Sequence, residues 1–533
     1  RLRQFVQLSP SAASGDGVTF TLNGAEVIVP AEGTLLDALR GPLGRRDVKD
    51  GCAPQGQCGC CTVLVDGLPR VSCVTPVSRV AGRAVTTLEG VDPPVRDSLI
   101  DAFDRTAASQ CGFCTPGILC RLAALGRKPR IDDAAVRGAL SAHLCRCTGF
   151  QPIVEAALVA NGLREPPPAR DHGAATARAT LESGTTQVAG PEVARGLAPF
   201  ADDTAPPGAV VALCSGTDDY SVAPTIAEAR RIARVVQGRN STIALTHPVA
   251  LPDGSFDVVL QTTWVEPAYL EPDASWCEPG GDPASPFGNA GAFGAKRHSP
   301  AAGDAQRLAG ELGGPVRVLW TREAVVRRGE KRPPLSLGVN ADGSGVVRVG
   351  WTGASRPVDP VVAAIVAAAP GLDVTIEPIA GPPVGTTHRG AGVAEVLAAL
   401  AIARAPLDAR ECTVTTPNGA TATVRVAAGR ISVVVAAGDP LCEATLRSFV
   451  IGAVHQGFSM VTTEGIAVDE RGVPVDLTIR SFGITPARSF PHVDVTLESD
   501  DRQPLAAGTA VFAATLAAMW LSEGRGPRWP TRR

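Results

Sequence analysis

The residues of this chain best suited to chemistry are its 14 cysteines, and they are unevenly placed: ten fall before residue 150. The first group lies in GCAPQGQCGCCTVLVDGLPRVSC, residues 51–73. Cys52, Cys58 and Cys61 are spaced C-x5-C-x2-C, and Cys73 follows after eleven intervening residues. That spacing is close to the plant-type [2Fe–2S] pattern, in which four thiolates hold two irons. Gly51, Gly56 and Gly59 let the backbone approach a cluster closely and turn its N–H groups toward sulfur. Cys60 is left out of the set because Cys61 completes the C-x2-C step. Four thiols on one loop also suit zinc, and the loop alone leaves that alternative open.

The second group is Cys111 and Cys114 in QCGFCTPGILC, residues 110–120, with Cys145 and Cys147 in SAHLCRCTGFQPI, residues 141–153. The 30 residues between Cys114 and Cys145 are helical in pattern. Pro116-Gly117 opens one helix through Ile118, Leu122 and Leu125. Ile131-Asp132-Asp133 starts another, with Val136, Leu140 and Leu144 on one face. The cysteines thus fall near helix ends, where unpaired N–H groups favour an anionic cluster. Zinc is again the alternative for this spacing by itself. The position directly after a ferredoxin-like loop favours a second [2Fe–2S] site.

The elements ahead of the first loop fit this reading. Val18–Leu22 and Glu26–Pro30 flank Asn23-Gly24, a hairpin signal, and Thr34 to Leu39 reads as a short helix. A hairpin, a helix and a Gly/Cys loop suit a small mixed sheet of ferredoxin type.

Composition narrows the rest. The 533 residues are 44% hydrophobic and 19% charged with a net charge of −3, enough for several domains with sizeable cores. There is no basic footprint for nucleic acid or an acidic membrane. Only four of the 50 cationic residues are Lys, a skew that fits a GC-rich genome rather than a function. The longest apolar run, Val361 to Ala369, stops at Pro370, well short of the roughly 20 residues of a membrane helix. The chain opens on Arg1 rather than Met, so residues before it are expected, and nothing in its start reads as a signal peptide. Clustered, low-density cysteines argue against a secreted disulfide framework and for a reducing, cytoplasmic setting. The leftover Cys120, Cys214, Cys277, Cys412 and Cys442 read as buried thiols.

Residues 16–160 resemble the two-cluster iron–sulfur module of the xanthine dehydrogenase/aldehyde oxidase family of molybdenum hydroxylases. GCAPQGQCGCCTV, QCGFCTPG and LCRCTGF stand in that family's order. Departures are Cys60 where the family has a small residue, His143 where it has Asn, and Phe150 for Tyr. The resemblance implies that the helical cluster lies nearest a molybdopterin, that Gln110 contacts the pterin, and that electrons pass from molybdenum through the helical cluster to the ferredoxin-like one. After it, the Pro-, Ala- and Thr-rich stretch 164–190 reads as a flexible linker.

The body resembles the family's molybdenum-binding region at scattered landmarks. They are RGLAPFADDTAPPGAVVAL (195–213), YLEPDASWCE (269–278), GNAGAFGAK (288–296), GPVRVLWTRE (314–323), THRGAGVAEVLAALAIA (387–403) and GAVHQGFSMVTTEG (452–465). By resemblance Gly291, Phe293 and Gly294 belong to a loop beside the molybdopterin, and Arg389 to the substrate side. The intervals are short, with 65 residues between Glu323 and Arg389 and 66 between Arg389 and Gln456. The family's base is a Glu that follows Gly before a late helix, since a carboxylate must take a proton during attack. Here PLAAGTAVFAATLAAMWLS (504–522) has Thr509 after Gly508, and Asp500 and Asp501 lie off the motif. No catalytic residue is therefore assigned. His455 and His492 read as ordinary core or surface residues.

The expected fold is multidomain α+β. A ferredoxin-like β-grasp domain (16–92) is followed by an all-α [2Fe–2S] domain (93–163) and the linker (164–190). A reduced small α/β domain (191–240) and a truncated α/β molybdopterin-binding-like region (241–525) complete it. The expected function is that of an iron–sulfur electron-transfer subunit. A catalytic partner chain would hold the molybdopterin, and a flavin subunit or cytochrome would accept electrons. The alternatives are a compact self-contained hydroxylase of N-heterocycles or aldehydes, and a non-enzymatic iron–sulfur scaffold or redox sensor.

Overall fold

The computed structural model describes residues 17–533 except 129, 217–218, 236–242, 290, 292–295, 354–357, 386–389, 407 and 499. Strands β1 (Val18–Leu22), β2 (Ala25–Val29), β3 (Thr62–Val65), β4 (Leu68–Val71) and β5 (Ala84–Thr86) form one sheet, in the order β2-β1-β5-β3-β4. Asn23 and Gly24 both adopt positive φ, which makes the tight turn of the β1–β2 hairpin. β1 and β5 run parallel. Helix α1 (Leu35–Arg40) covers the sheet through Leu35, Leu36 and Leu39, and a reciprocal Thr34–Asp37 capping box starts it. This is the expected β-grasp.

Four helices follow: α2 (Pro93–Arg105), α3 (Thr115–Leu125), α4 (Asp133–Ala139) and α5 (Gln151–Ala160). Asp132 caps α4 through the Ala135 amide, and Leu144 lies beyond that helix rather than on its face. The stretch expected to be a flexible linker holds another helix, α6 (His172–Ser183), with Asp171 capping one end and Gly184 at φ 65° closing the other. Its buried face is Ala175, Arg178, Ala179, Glu182 and Ser183. Those positions have helical spacing but small or charged side chains, so no apolar period marks them. The short α7 (Pro191–Ala194) leads into the body.

Among the described residues the body has three four-stranded sheets. In the first, β6 (Val210–Cys214), β7 (Tyr220–Ala223), β9 (Ala274–Cys277) and β10 (Val316–Trp320) take the order β7-β6-β10-β9. Helices α8 (Ile226–Ala233), α9 (Ala301–Leu312) and α10 (Arg322–Arg328) accompany it. Since β6 pairs with β10, a boundary at residue 240 passes through this sheet. The second sheet is β13-β12-β11-β8, from β8 (Val258–Gln261), β11 (Leu335–Val339), β12 (Gly345–Trp351) and β13 (Leu372–Pro378). Helices α11 (Asp359–Ala368) and α12 (Val393–Arg404) pack beside it. The third is β14-β15-β16-β17, from β14 (Glu411–Thr415), β15 (Thr421–Ala427), β16 (Arg430–Ala436) and β17 (His492–Glu498). Two long apolar helices, α13 (Glu443–Thr462) and α14 (Gly508–Ser522), pack on each other at the centre of the largest hydrophobic core. Among the described residues no helix is long and apolar enough to cross a membrane.

Candidate functional site: two buried cysteine quartets

All eight singled-out cysteines are buried and none forms a disulfide. On the β-grasp loop, Gly56 and Gly59 adopt φ of 70° and 78°, which turns the chain around Cys58. The amides of Gln57 and Cys58 both donate to Cys52 Sγ at 3.3 Å. The Cys52 sulfur meets those of Cys58 and Cys73, and Cys73 meets Cys61. The Cys52 thiol is held well below its usual range, first by the thiols of Cys58 and Cys73 and then by those two amides. Cys60 lies outside the chain of four, against Cys58.

In the helical unit Cys111 and Cys147 bring their sulfurs to 3.7 Å, and Cys114 pairs with Cys145. Cys145 is pulled down to about 6 by the Cys114 thiol and, against its burial, by Thr148, whose hydroxyl lies 3.1 Å away. Phe150 turns the chain into α5 from the left-handed region, at φ 66°.

The two quartets meet backbone to backbone. The Leu144 amide donates to the Cys58 carbonyl at 2.9 Å. The ring of His143 packs on Gly59, and burial pushes it down to about 3, so it is uncharged. A Cβ on Gly117 of α3 would lie 2.5 Å from the Gly59 oxygen and 2.7 Å from that of Cys60. Neither oxygen can swing aside as a side chain would. Gly117→Ala is therefore expected to destabilise the iron–sulfur region by about 1–3 kcal/mol. The check is its thermal unfolding midpoint, and an unchanged midpoint would mean that the units are not in this contact.

The helical quartet also abuts the body. Arg146, between Cys145 and Cys147, forms a two-pronged ion pair with Glu464, Nη2 to Oε2 at 2.7 Å, and its Nε donates to the Pro267 carbonyl. Gln110 donates to the Cys147 carbonyl at 3.1 Å and to Ser448 Oγ at 3.0 Å, while its buried Oε1 has no partner among the described residues. Asn289 donates to the Cys111 carbonyl at 3.0 Å. A Cβ on Gly291 would sit 3.1 Å from Cys111 Sγ. Phe293, Gly294 and Arg389 lie outside the described residues. Thr509 is the second residue of α14, and a Cβ on Gly390 would lie 2.9 Å from its methyl group. The residue that follows Arg389 and the start of α14 thus lie against each other.

These arrangements suit two-iron clusters. In the helical unit the sulfurs stand in two pairs and on the β-grasp loop they form a chain, backbone amides point at Cys52, Cys111 and Cys145, and burial excludes water. Residues 20–78 match the family described as "2Fe-2S iron-sulfur cluster binding domain", and residues 87–158 that of the "[2Fe-2S] binding domain". The nicotine 6-hydroxylase small subunit of Paenarthrobacter nicotinovorans is 40% identical over 157 residues, covering 29% of this chain and 94% of that one. The chain belongs to the xanthine dehydrogenase/aldehyde oxidase family of molybdenum hydroxylases. It carries two 2Fe–2S-binding domains. The aldehyde oxidoreductase of Megalodesulfovibrio gigas is 42% identical over 147 residues, 26% of this chain and 16% of its own length. The stretches matched to these two relatives cover less than a third of this chain. The solved aldehyde oxidoreductase of Desulfovibrio desulfuricans superposes with a TM-score of 0.69 at 14% identity, covering 97% of this chain and 99% of that one. At that identity the likeness establishes the fold of the body and nothing finer.

Three partnerships escaped the reading of the sequence: Arg146 with Glu464, Glu182 with the start of α14, and Arg322 with the Gly51 carbonyl. Only Arg146 carried a local signal, as a lone cation between two cysteines.

Proposed function

We propose that this chain is the iron–sulfur electron-transfer component of a multi-subunit molybdenum hydroxylase. Cys111, Cys114, Cys145 and Cys147 hold the cluster that receives electrons. Cys52, Cys58, Cys61 and Cys73 hold the one that passes them on. The observation that carries this reading is the contact between the quartets, where one hydrogen bond joins Cys58 to the residue before Cys145. A partner chain supplies the molybdopterin, whose metal would take the electrons from the substrate. A flavin subunit or a cytochrome in the cytoplasm accepts them at the far end.

The body then serves as a scaffold. Thr509 stands where the family has its Glu, and a hydroxyl is no base near neutral pH. The carboxylate at that helix start is Glu182, and amides of Ala507 and Gly508 occupy both its oxygens at 3.0 Å. One observation favours a second reading, in which this chain holds the molybdopterin itself: at the position that by resemblance contacts the pterin, Gln110 Oε1 is buried without a partner among the described residues.

Metal analysis of the isolated chain separates the two. About four irons and no molybdenum is the expected content, from two [2Fe–2S] clusters, and one molybdenum per chain would establish the second reading. Cys111→Ser or Cys145→Ser should each remove one of two distinguishable [2Fe–2S] signals in electron paramagnetic resonance. Survival of both signals in either variant would overturn the ligand assignment.

A further inference from the structure

Beside the first cysteine quartet lies a buried cation that has no ion-pair partner among the described residues. Arg322 opens α10 in the body and is 1% exposed. Its Nε and Nη2 donate to the Gly51 carbonyl at 3.3 and 2.9 Å, and Nη2 also reaches the Leu270 carbonyl at 2.8 Å. Nη1 is buried with no hydrogen-bond partner among the described residues. The carboxylates that line the same cavity are each engaged elsewhere: Glu271 pairs with Lys296, Asp273 accepts from the Tyr269 hydroxyl, Asp50 pairs with Arg230, and Asp202 and Asp203 pair with Arg40. A guanidinium taken out of water with only carbonyls for company is costly unless an anion balances it.

The candidate anion is the quartet itself. Gly51 precedes Cys52, and a Cβ on it would lie 3.0 Å from Cys58 Sγ and 3.2 Å from Cys60 Sγ. Arg322 and Cys52 line the same cavity, of about 40 Å³. Four thiolates around a two-iron cluster leave a net negative charge, and reduction adds one more.

We propose that Arg322 is the counter-charge of the first cluster and raises its reduction potential above what the ferredoxin-like domain alone would set. The proposal rests on Cys52, Cys58, Cys61 and Cys73 being that cluster's ligands. A fixed cation attracts the reduced cluster more strongly than the oxidised one, so its presence favours electron uptake. Because the residue comes from the body, the body tunes the potential at which the first cluster takes up an electron.

The test is a potentiometric titration of both signals by electron paramagnetic resonance, in the full chain loaded with iron and sulfide. Arg322→Met, which keeps the volume and removes the charge, should cost the first cluster at least tenfold in its reduction equilibrium, a fall of about 59 mV for one electron. The second cluster should hold its potential. Arg322→Lys should recover more than half of the fall. An unchanged first potential in Arg322→Met, or an equal fall in Arg322→Lys, would overturn the proposal. If Arg322→Met does not take up the first cluster, Arg322→Gln is read in the same way. Loading of the Lys variant alone would show that the cluster needs the charge, whereas failure of Lys and Gln alike would assign Arg322 to holding the two carbonyls. The cluster reading fails separately, if wild-type protein lacks the first signal or Cys58→Ser retains it.

Discussion

Glu464→Ala is expected to destabilise the chain by about 3–5 kcal/mol and to cost it the signal of the helical cluster. Arg146 and Glu464 are both buried, 3% and 2% exposed at their side chains, and each is the other's ion-pair partner. Removing the carboxylate leaves a guanidinium between Cys145 and Cys147 with the Pro267 carbonyl as its remaining acceptor. Burial of an uncompensated charge is among the few single changes worth several kcal/mol. The loss falls at the contact between the helical unit and the body, because Glu464 follows α13 and Gln456 of that helix also binds the Arg146 carbonyl. Measured by urea, the midpoint should fall. The double variant Arg146→Met/Glu464→Leu should recover most of the loss, since an apolar pair leaves no charge behind. Equal midpoints for wild type and Glu464→Ala would mean that the pair does not join the two regions.

That contact also marks where the sequence stops being readable. The eight cysteines were legible because ligand spacing is local: a loop or helix end must present its thiols within a few residues. The β1–β2 hairpin and the starts of α1, α3 and α4 were legible for the same reason, through Asn23-Gly24, Thr34, Pro116 and Asp132. Arg146 and Glu464 are 318 residues apart, and nothing near Glu464 distinguishes it from a surface acid. Arg322 and Gly51 are 271 apart. Helix α6 failed differently. Its end signals, Asp171 and Gly184, are both in the sequence, but its buried face holds Arg178 and Glu182 where a hydrophobic period looks for Leu or Val. A helix that docks through a charged pair rather than an apolar stripe reads as linker.

Glu182→Leu is expected to cost about 3–5 kcal/mol, for the same electrostatic reason and for one more. Arg178 and Glu182 are 0% exposed at their side chains and pair at 3.2 Å. Arg178 also donates to the carbonyls of Pro440, Leu505 and Asp439, tying α6 to two loops of the body. The second reason is helix α14. It starts on Ala507, which has no side chain to cap it, and the Glu182 carboxylate takes the Ala507 and Gly508 amides instead. A leucine would leave Arg178 uncompensated and those amides unpaired in the core, beneath the helix on which α13 and α12 pack. Glu182→Gln keeps an acceptor at the cap and should cost less, about 1–2 kcal/mol. The two variants also differ in pH dependence. Burial pushes Glu182 above the usual carboxylate range in spite of the amides and Arg178. The folded chain therefore binds a proton there more tightly than the unfolded one does, and this contribution to stability is full below the unfolded value and lost as pH rises through the folded one. Urea midpoints taken upward from the ordinary carboxylate range should fall more steeply for wild type than for Glu182→Gln. Parallel curves would show that Glu182 is ionised alike in both states, and that its amide bonds and ion pair fully offset its burial.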